Sequence, residues 1–170
     1  EIDAGNPGLA PEKTWTLEGG YERRLPRDAG LIEARVFYSR ITDAIDKIPL
    51  RDSHGNFYSA EGNIPEAQLY GAELKASLRL AFLGAPDALL SGKVLRQESS
   101  LEDPFTGETR RLKSDRGYNW NISLRHDLTR LKMSYGFTYT RYGWAALSSD
   151  LFVRDWFWIG PTLDIFVERR

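Results

Sequence analysis

His54 and His126 are the two histidines of the chain, and there is no cysteine. His54 stands in "RDSHGNFY" and His126 opens "HDLTR"; neither has a second ligand at metal-binding spacing. Thiol catalysis, disulfide scaffolding and thiolate metal sites are excluded, and no metal or cofactor site is expected. No Gly-x-Ser-x-Gly elbow and no phosphate-cradling glycine loop occurs, so no catalytic residue is assigned and no enzyme is expected. The charged side chains instead fall into a pattern. Glu18, Glu22, Glu33, Glu73, Asp164 and Glu168 alternate with apolar neighbours, and so do Arg35, Lys75, Arg79, Lys93, Arg125 and Lys132. Acids and bases in such balance suit cross-strand pairing on a hydrated wall better than acid–base catalysis in a cleft. A carbohydrate-active β-sandwich enzyme would need paired carboxylates across a cleft, and these acids read as wall residues.

The elements that place these charges have a period of two. Trp15, Leu17, Gly19 and Tyr21 alternate with Thr16, Glu18, Gly20 and Glu22. Ile32 to Ser39 repeats the pattern. Tyr70, Ala72, Leu74, Ala76, Leu78 and Leu80 give its clearest form against Gly71, Glu73, Lys75, Ser77 and Arg79. Further runs cover Leu90–Gln97, Tyr118–Arg125, Leu131–Thr140 and Phe157–Glu168, the last made irregular by Pro161. About seven antiparallel strands follow, in an all-β, up-and-down meander. "SRITDAIDKI" (Ser39–Ile48) reads either as a short helical turn or as an extension of its strand. Connections alternate in length. Leu25–Gly30, Ala81–Ala88 and His126–Arg130 are short; Asp43–Ala67, Ser99–Arg116 and Tyr142–Asp155 are long. "SHGN" (Ser53–Asn56) and "DPFTGE" (Asp103–Glu108) carry turn chemistry and read as loop tips.

A net charge of −1 argues against a nucleic-acid partner. No apolar run reaches the ~18 residues of a membrane helix. A mean hydropathy of −0.46 does not exclude a membrane β-barrel, whose strands average polar and apolar positions. The apolar faces carry no Asp, Glu, Lys or Arg, a purity that lipid enforces more strictly than a soluble core. Aromatics gather near the ends of those faces, at Trp15, Tyr21, Tyr38, Tyr70, Tyr118, Trp120 and Tyr139, as interfacial rings do. Short turns on one rim and long loops on the other complete the pattern of a transmembrane barrel. The alternative is a soluble, lipocalin-like barrel that carries a small apolar ligand, its charge-free face enclosing a pocket.

"NPGLAPEKTWTLEGGYE" (Asn6–Glu22) resembles the Asn-Pro-x-Leu-x-Pro-Glu signature that leads into a barrel strand of TonB-dependent outer-membrane receptors. "ARVFYSRITDAI" looks like that family's next strand, and "AQLYGAELKASLRL" is similar to its Tyr-Gly-x-Glu strand. "GPTLDIFVERR" looks like a late barrel strand. The resemblance implies a C-terminal section of a barrel of about twenty-two strands, with the plug domain and last strands outside this sequence. The absence of an initiator Met and a signal peptide at Glu1 fits an excised section. It further implies the bacterial outer membrane, surrounding lipid, energy from the TonB complex acting through the plug, and uptake of a scarce extracellular ligand such as a ferric siderophore. Ligand contacts would come from the long loops, with Arg51, His54, Tyr58, Arg110, Arg111, Tyr142 and Trp144 as candidates. A section made alone, with open sheet edges and a bare apolar face, is expected to self-associate.

Overall fold

The computed structural model describes residues 6–113, 115–143, 145–149, 154–157 and 159–169, with backbone alone for 145–149 and 154–157. Among the described residues ten strands follow one another: β1 Lys13–Leu25, β2 Gly30–Arg51, β3 Phe57–Leu80, β4 Ala85–Glu102, β5 Thr109–Arg110, β6 Tyr118–Leu128, β7 Met133–Tyr142, β8 Ala145–Ser149, β9 Arg154–Phe157 and β10 Thr162–Arg169. β1, β2, β3, β4, β6, β7 and β10 form one antiparallel meander in that order. β5 pairs back on β4, and β8 with β9 makes a separate hairpin. The expected seven-strand meander is present, with these short strands added.

The long connections differ from the expectation. Most of Asp43–Ala67 is not loop: β2 runs on to Arg51 and β3 starts at Phe57, giving a two-stranded ribbon with a tight tip. Ser39–Ile48 is accordingly strand throughout, with no helical turn. The period-two signal fails there because it slips phase. Ser39 and Ile41 are buried at odd positions of β2, and Ala44 and Asp46 at even ones. On β3 the switch runs from Ile64 to Ala67. Between Thr42–Glu66 and Ala44–Ile64 the ladder skips one rung, Asp43 opposite Pro65. Pro65 has no N–H to donate, and Asp43 has φ +56°, left-handed backbone that Asp tolerates better than most residues.

Smaller corrections have equally local causes. The turn expected at His126–Arg130 lies at Thr129–Lys132, because β6 keeps its pairs to Leu128 and Lys132 takes φ +51°. β10 begins at Thr162, immediately after Pro161, which cannot donate to a ladder. The remaining short turns hold Pro26–Asp28 and Ala81–Leu83. Ser99–Arg116 is expected as loop, but its first residues extend β4, and Glu102–Thr109 and Leu101–Arg110 close a small hairpin around the expected Asp103–Glu108 tip.

The two faces of the meander have opposite characters. One exposes Trp15 (60 %), Leu17 (63 %) and Ile165 (73 %), with Val36, Leu74 and Val94 between them. The other is concave and carries a groove of about 650 Å³ lined mainly by Glu18, Glu22, Glu33, Arg35, Lys75 and Lys93, with Glu73 also on its wall. The small buried core lies elsewhere, above the meander: Ile41, Ala44, Ile64, Ala67 and Leu101, with Ile48 and Leu112 packed against them.

Candidate functional site

The wall fixes where the rim stands. Cα partners on successive strands form continuous rows. Arg23 ends the apolar column of β1, and its row passes Ile32, Ala76, Gly92, Ile122 and Tyr139 before reaching β10 at Leu163. The column of β10 ends instead at Arg169. The charged edge thus steps by about six residues over six strand-to-strand intervals, a slope of about 35° at ~3.3 Å per residue and ~4.8 Å per strand. The opposite edge steps in the same direction, through Lys13, Arg40, Arg96 and Arg141, on the rows of Lys13, Trp15, Gly19 and Tyr21. Lys13 to Arg23 spans about 33 Å of strand, or about 27 Å of height at that tilt, against the ~25 Å apolar band of outer-membrane barrels. Tyr38, Tyr70 and Tyr139 each lie two residues inside the band from Arg40, Gln68 and Arg141. Trp120 meets Tyr139 edge-on at 6.0 Å.

Across the band, the concave face pairs its charges. Glu18 accepts from Arg35 at 3.0 Å, and Arg125 donates to Glu168 at 3.3 Å. Glu73, 8 % exposed, takes Lys75 at 3.0 Å and Lys93 at 2.8 Å. These contacts realise the expected cross-strand pairing. They also speak against the lipocalin-like alternative: among the described residues the charge-free face stands exposed, and the groove belongs to the charged face.

Beyond the band's upper edge stands the rim. Its lead-in stretch is strapped to the ribbon. Asn6 Oδ1 accepts from the Gly8 amide at 3.0 Å, while Asn6 Nδ2 donates to the Glu61 carbonyl at 3.1 Å. Asn63 Oδ1 accepts from the Ala10 amide at 2.7 Å, and its Nδ2 donates to the carbonyls of Ala10 and Asp43. β1 stops pairing at Thr42, so the Ile45 amide would lack a strand partner; the Glu12 carboxylate accepts it at 3.1 Å. The Asn and the Glu of the lead-in motif therefore have mechanical roles.

Two knots fasten the second long connection, one to the first and one to the end of β4. Arg110, 10 % exposed at its side chain, donates from Nη2 to Asp46 and from Nε to Asp103, both at 2.9 Å. Asp115 is 1 % exposed and accepts from Ser99 Oγ at 2.6 Å, the Gly117 amide at 2.7 Å and Gln97 Nε2 at 3.1 Å. The tips use one device twice. Asp52 Oδ1 accepts from the amides of His54 and Asn56, and Asp103 Oδ1 from those of Phe105 and Thr106. Gly55 (φ +85°) and Gly107 (φ +72°) turn the chain back.

The expected ligand contacts separate accordingly. Arg51, His54 and Tyr58 share the exposed ribbon tip, with the Arg51 guanidinium 4.2 Å over the Phe57 ring. Tyr142 lies under the Arg116 guanidinium at 4.8 Å. Arg110 is enclosed by its two carboxylates, and Arg111 is exposed beside Gly117. Trp144 lies outside the described residues. Sequence reasoning missed Glu12, Asp46, Asn63, Asp103 and Asp115. The available signal was a run of carboxylates and amides in segments otherwise rich in Ile, Leu and Ala.

Slope, band height, aromatic belt and charged concave face together define a wall section of an outer-membrane β-barrel. The model of the TonB dependent receptor-like β-barrel family matches residues 1–160. The chain belongs to that family, whose place is the bacterial outer membrane. No curated protein sequence matches it. Among solved structures it is similar to the ferric-catecholate import receptor Fiu from K12 E. coli (14 % identity, 98 % of this chain and 23 % of that one, TM-score 0.65). The FrpB iron transporter from Neisseria meningitidis is similar at 17 % identity, 98 % and 26 % coverage and TM-score 0.65. The ferric enterobactin receptor PfeA from Pseudomonas aeruginosa is similar at 19 % identity, 96 % and 24 % coverage and TM-score 0.63. The chain spans about a quarter of the length of these relatives.

Proposed function

We propose that this section belongs to a receptor that takes up a scarce extracellular ligand by energy-coupled transport, a ferric siderophore being the leading class. The observation that carries the reading is the division of labour in the wall. Charges are paired on the concave face, apolar side chains face lipid, and the structured connections stand on one rim only. The names of Fiu, FrpB and PfeA point to iron and its catecholate or enterobactin complexes, and they supply the ligand class. On this reading the ribbon tip with Arg51, His54 and Tyr58 faces the ligand, and Arg110 holds the surface behind it. Energy comes from the TonB complex through a plug domain elsewhere in the receptor. The test is uptake of radiolabelled iron, offered as a panel of ferric siderophores, by cells with the receptor gene intact or deleted, each with and without TonB. At least one siderophore should lose uptake equally on deletion of the receptor and of TonB. Uptake of every ferric siderophore indifferent to the deletion would remove the ligand class.

A further inference from the structure

The charged upper edge of the lipid-facing band is not uniform around the wall. On β1–β3 its cations are matched: Lys13 lies 3.6 Å from Asp43, and Arg40 lies 2.6 Å from Glu66. On β4–β7 three arginines, Arg96, Arg111 and Arg141, share the edge with Glu98. Arg96 Nη2 binds Glu98 at 2.6 Å, and Tyr70 Oη donates to the same carboxylate at 3.1 Å. Arg111 descends from the second long connection to this group. The point where a Cβ would stand at Gly117 lies 2.9 Å from Arg111 Nη1 and 3.9 Å from Arg96 Nη1. Those two nitrogens are therefore no more than about 7 Å apart, close enough for one tetrahedral anion to bridge them. Both side chains are exposed, and Arg96 pairs in the ladder with Tyr118, two rows above the Val94–Trp120 pair.

We propose that Arg96 and Arg111 form a fork for the phosphate of a lipid headgroup in the leaflet on the long-connection side. Two like charges so close repel unless an anion lies between them, and Glu98 offsets only one. The anion belongs to a lipid because the fork continues the lipid-facing surface at the depth of headgroups, beside the aromatic belt. This rests on the outer-membrane placement of the wall and is independent of the transported ligand.

The test uses the whole receptor in phosphatidylcholine nanodiscs doped with phosphatidic acid. Retained phosphatidic acid is counted by native mass spectrometry for the wild type, Arg96→Gln, Arg111→Gln and the double variant. The lumenal Arg35→Gln serves as control, and heat-modifiable migration on gels confirms the folded barrel throughout. Each rim substitution should lower retention by about fivefold, with Arg35→Gln unchanged. Equal retention by the double variant would overturn the proposal. So would inorganic phosphate binding the same two arginines in detergent as tightly as the lipid does, since the site would then be one for soluble anions. Loss of heat-modifiable migration in the wild type itself would count against the barrel reading instead.

Discussion

At Arg110 a single side chain holds two buried carboxylates, Asp46 on the first long connection and Asp103 on the second. Arg110→Ala would remove the guanidinium that both of them bind. A local loss of about 3 kcal/mol is expected, because removing one partner of a buried pair strands the other charge. Hydrogen exchange in the receptor should show it as faster exchange over 99–112, with β1 and β10 unaffected. Asp52 gives a pH signature. The Asn56 side chain, and then the Asn56 amide, hold its carboxyl below the ordinary 3.8. A lowered folded value means that the turn favours the ionised form. Its contribution is present above the ordinary value and disappears as pH falls through the lowered one. Protection of the His54 and Asn56 amides should therefore be flat at neutral pH and fall only below pH 3.8, and Asp52→Asn should abolish that step. Of these residues, Arg110 was visible in the sequence as a loop cation. Its burial was not, because Asp46 is 64 residues away along the chain.

At the scale of elements, the strands crossing the apolar band were legible wherever one face meets lipid and the other water, as from Tyr70 to Leu80. Legibility ended at Asp43 and Pro65, where alternation slips by one residue while the backbone continues as a ladder. In period alone, the slip is indistinguishable from the end of a strand. The positive φ of Asp43 can be tested directly. Asp43→Val should destabilise the ribbon by about 1–2 kcal/mol, the cost of left-handed backbone for a β-branched residue, and Asp43→Gly should not. Amide exchange of Ala44 to Ile48 in the two variants measures the difference. The rim's knots were illegible for a related reason. Their carboxylates sit in segments that read as solvated loop, and Arg110, which binds two of them, is brought to them by the fold-back of β5 on β4.

For the whole molecule, two opposite faces meet two different solvents. The section produced alone leaves β1 and β10 as lateral edges and a bare apolar face, so in plain buffer it should sediment as oligomers or require detergent. A monodisperse monomer without detergent would contradict that expectation. Placement in lipid also predicts asymmetric tolerance. Leu74→Arg puts a charge on the lipid face and should cost about 2–4 kcal/mol, whereas exchanging one polar residue for another at Ser77 on the lumenal face should cost little. Measured unfolding of the reconstituted receptor compares the two. The most direct measurement uses the absence of cysteine in this section. Single cysteines placed in turn from Tyr70 to Leu78 of the whole receptor in liposomes, each spin-labelled, report collisions with lipid-soluble oxygen and with a water-soluble nickel chelate. Oxygen access should peak at the even positions 70, 72, 74, 76 and 78, and nickel access at the odd positions between them. Accessibility without this alternation, or with its phase reversed, would contradict the barrel wall described for this chain.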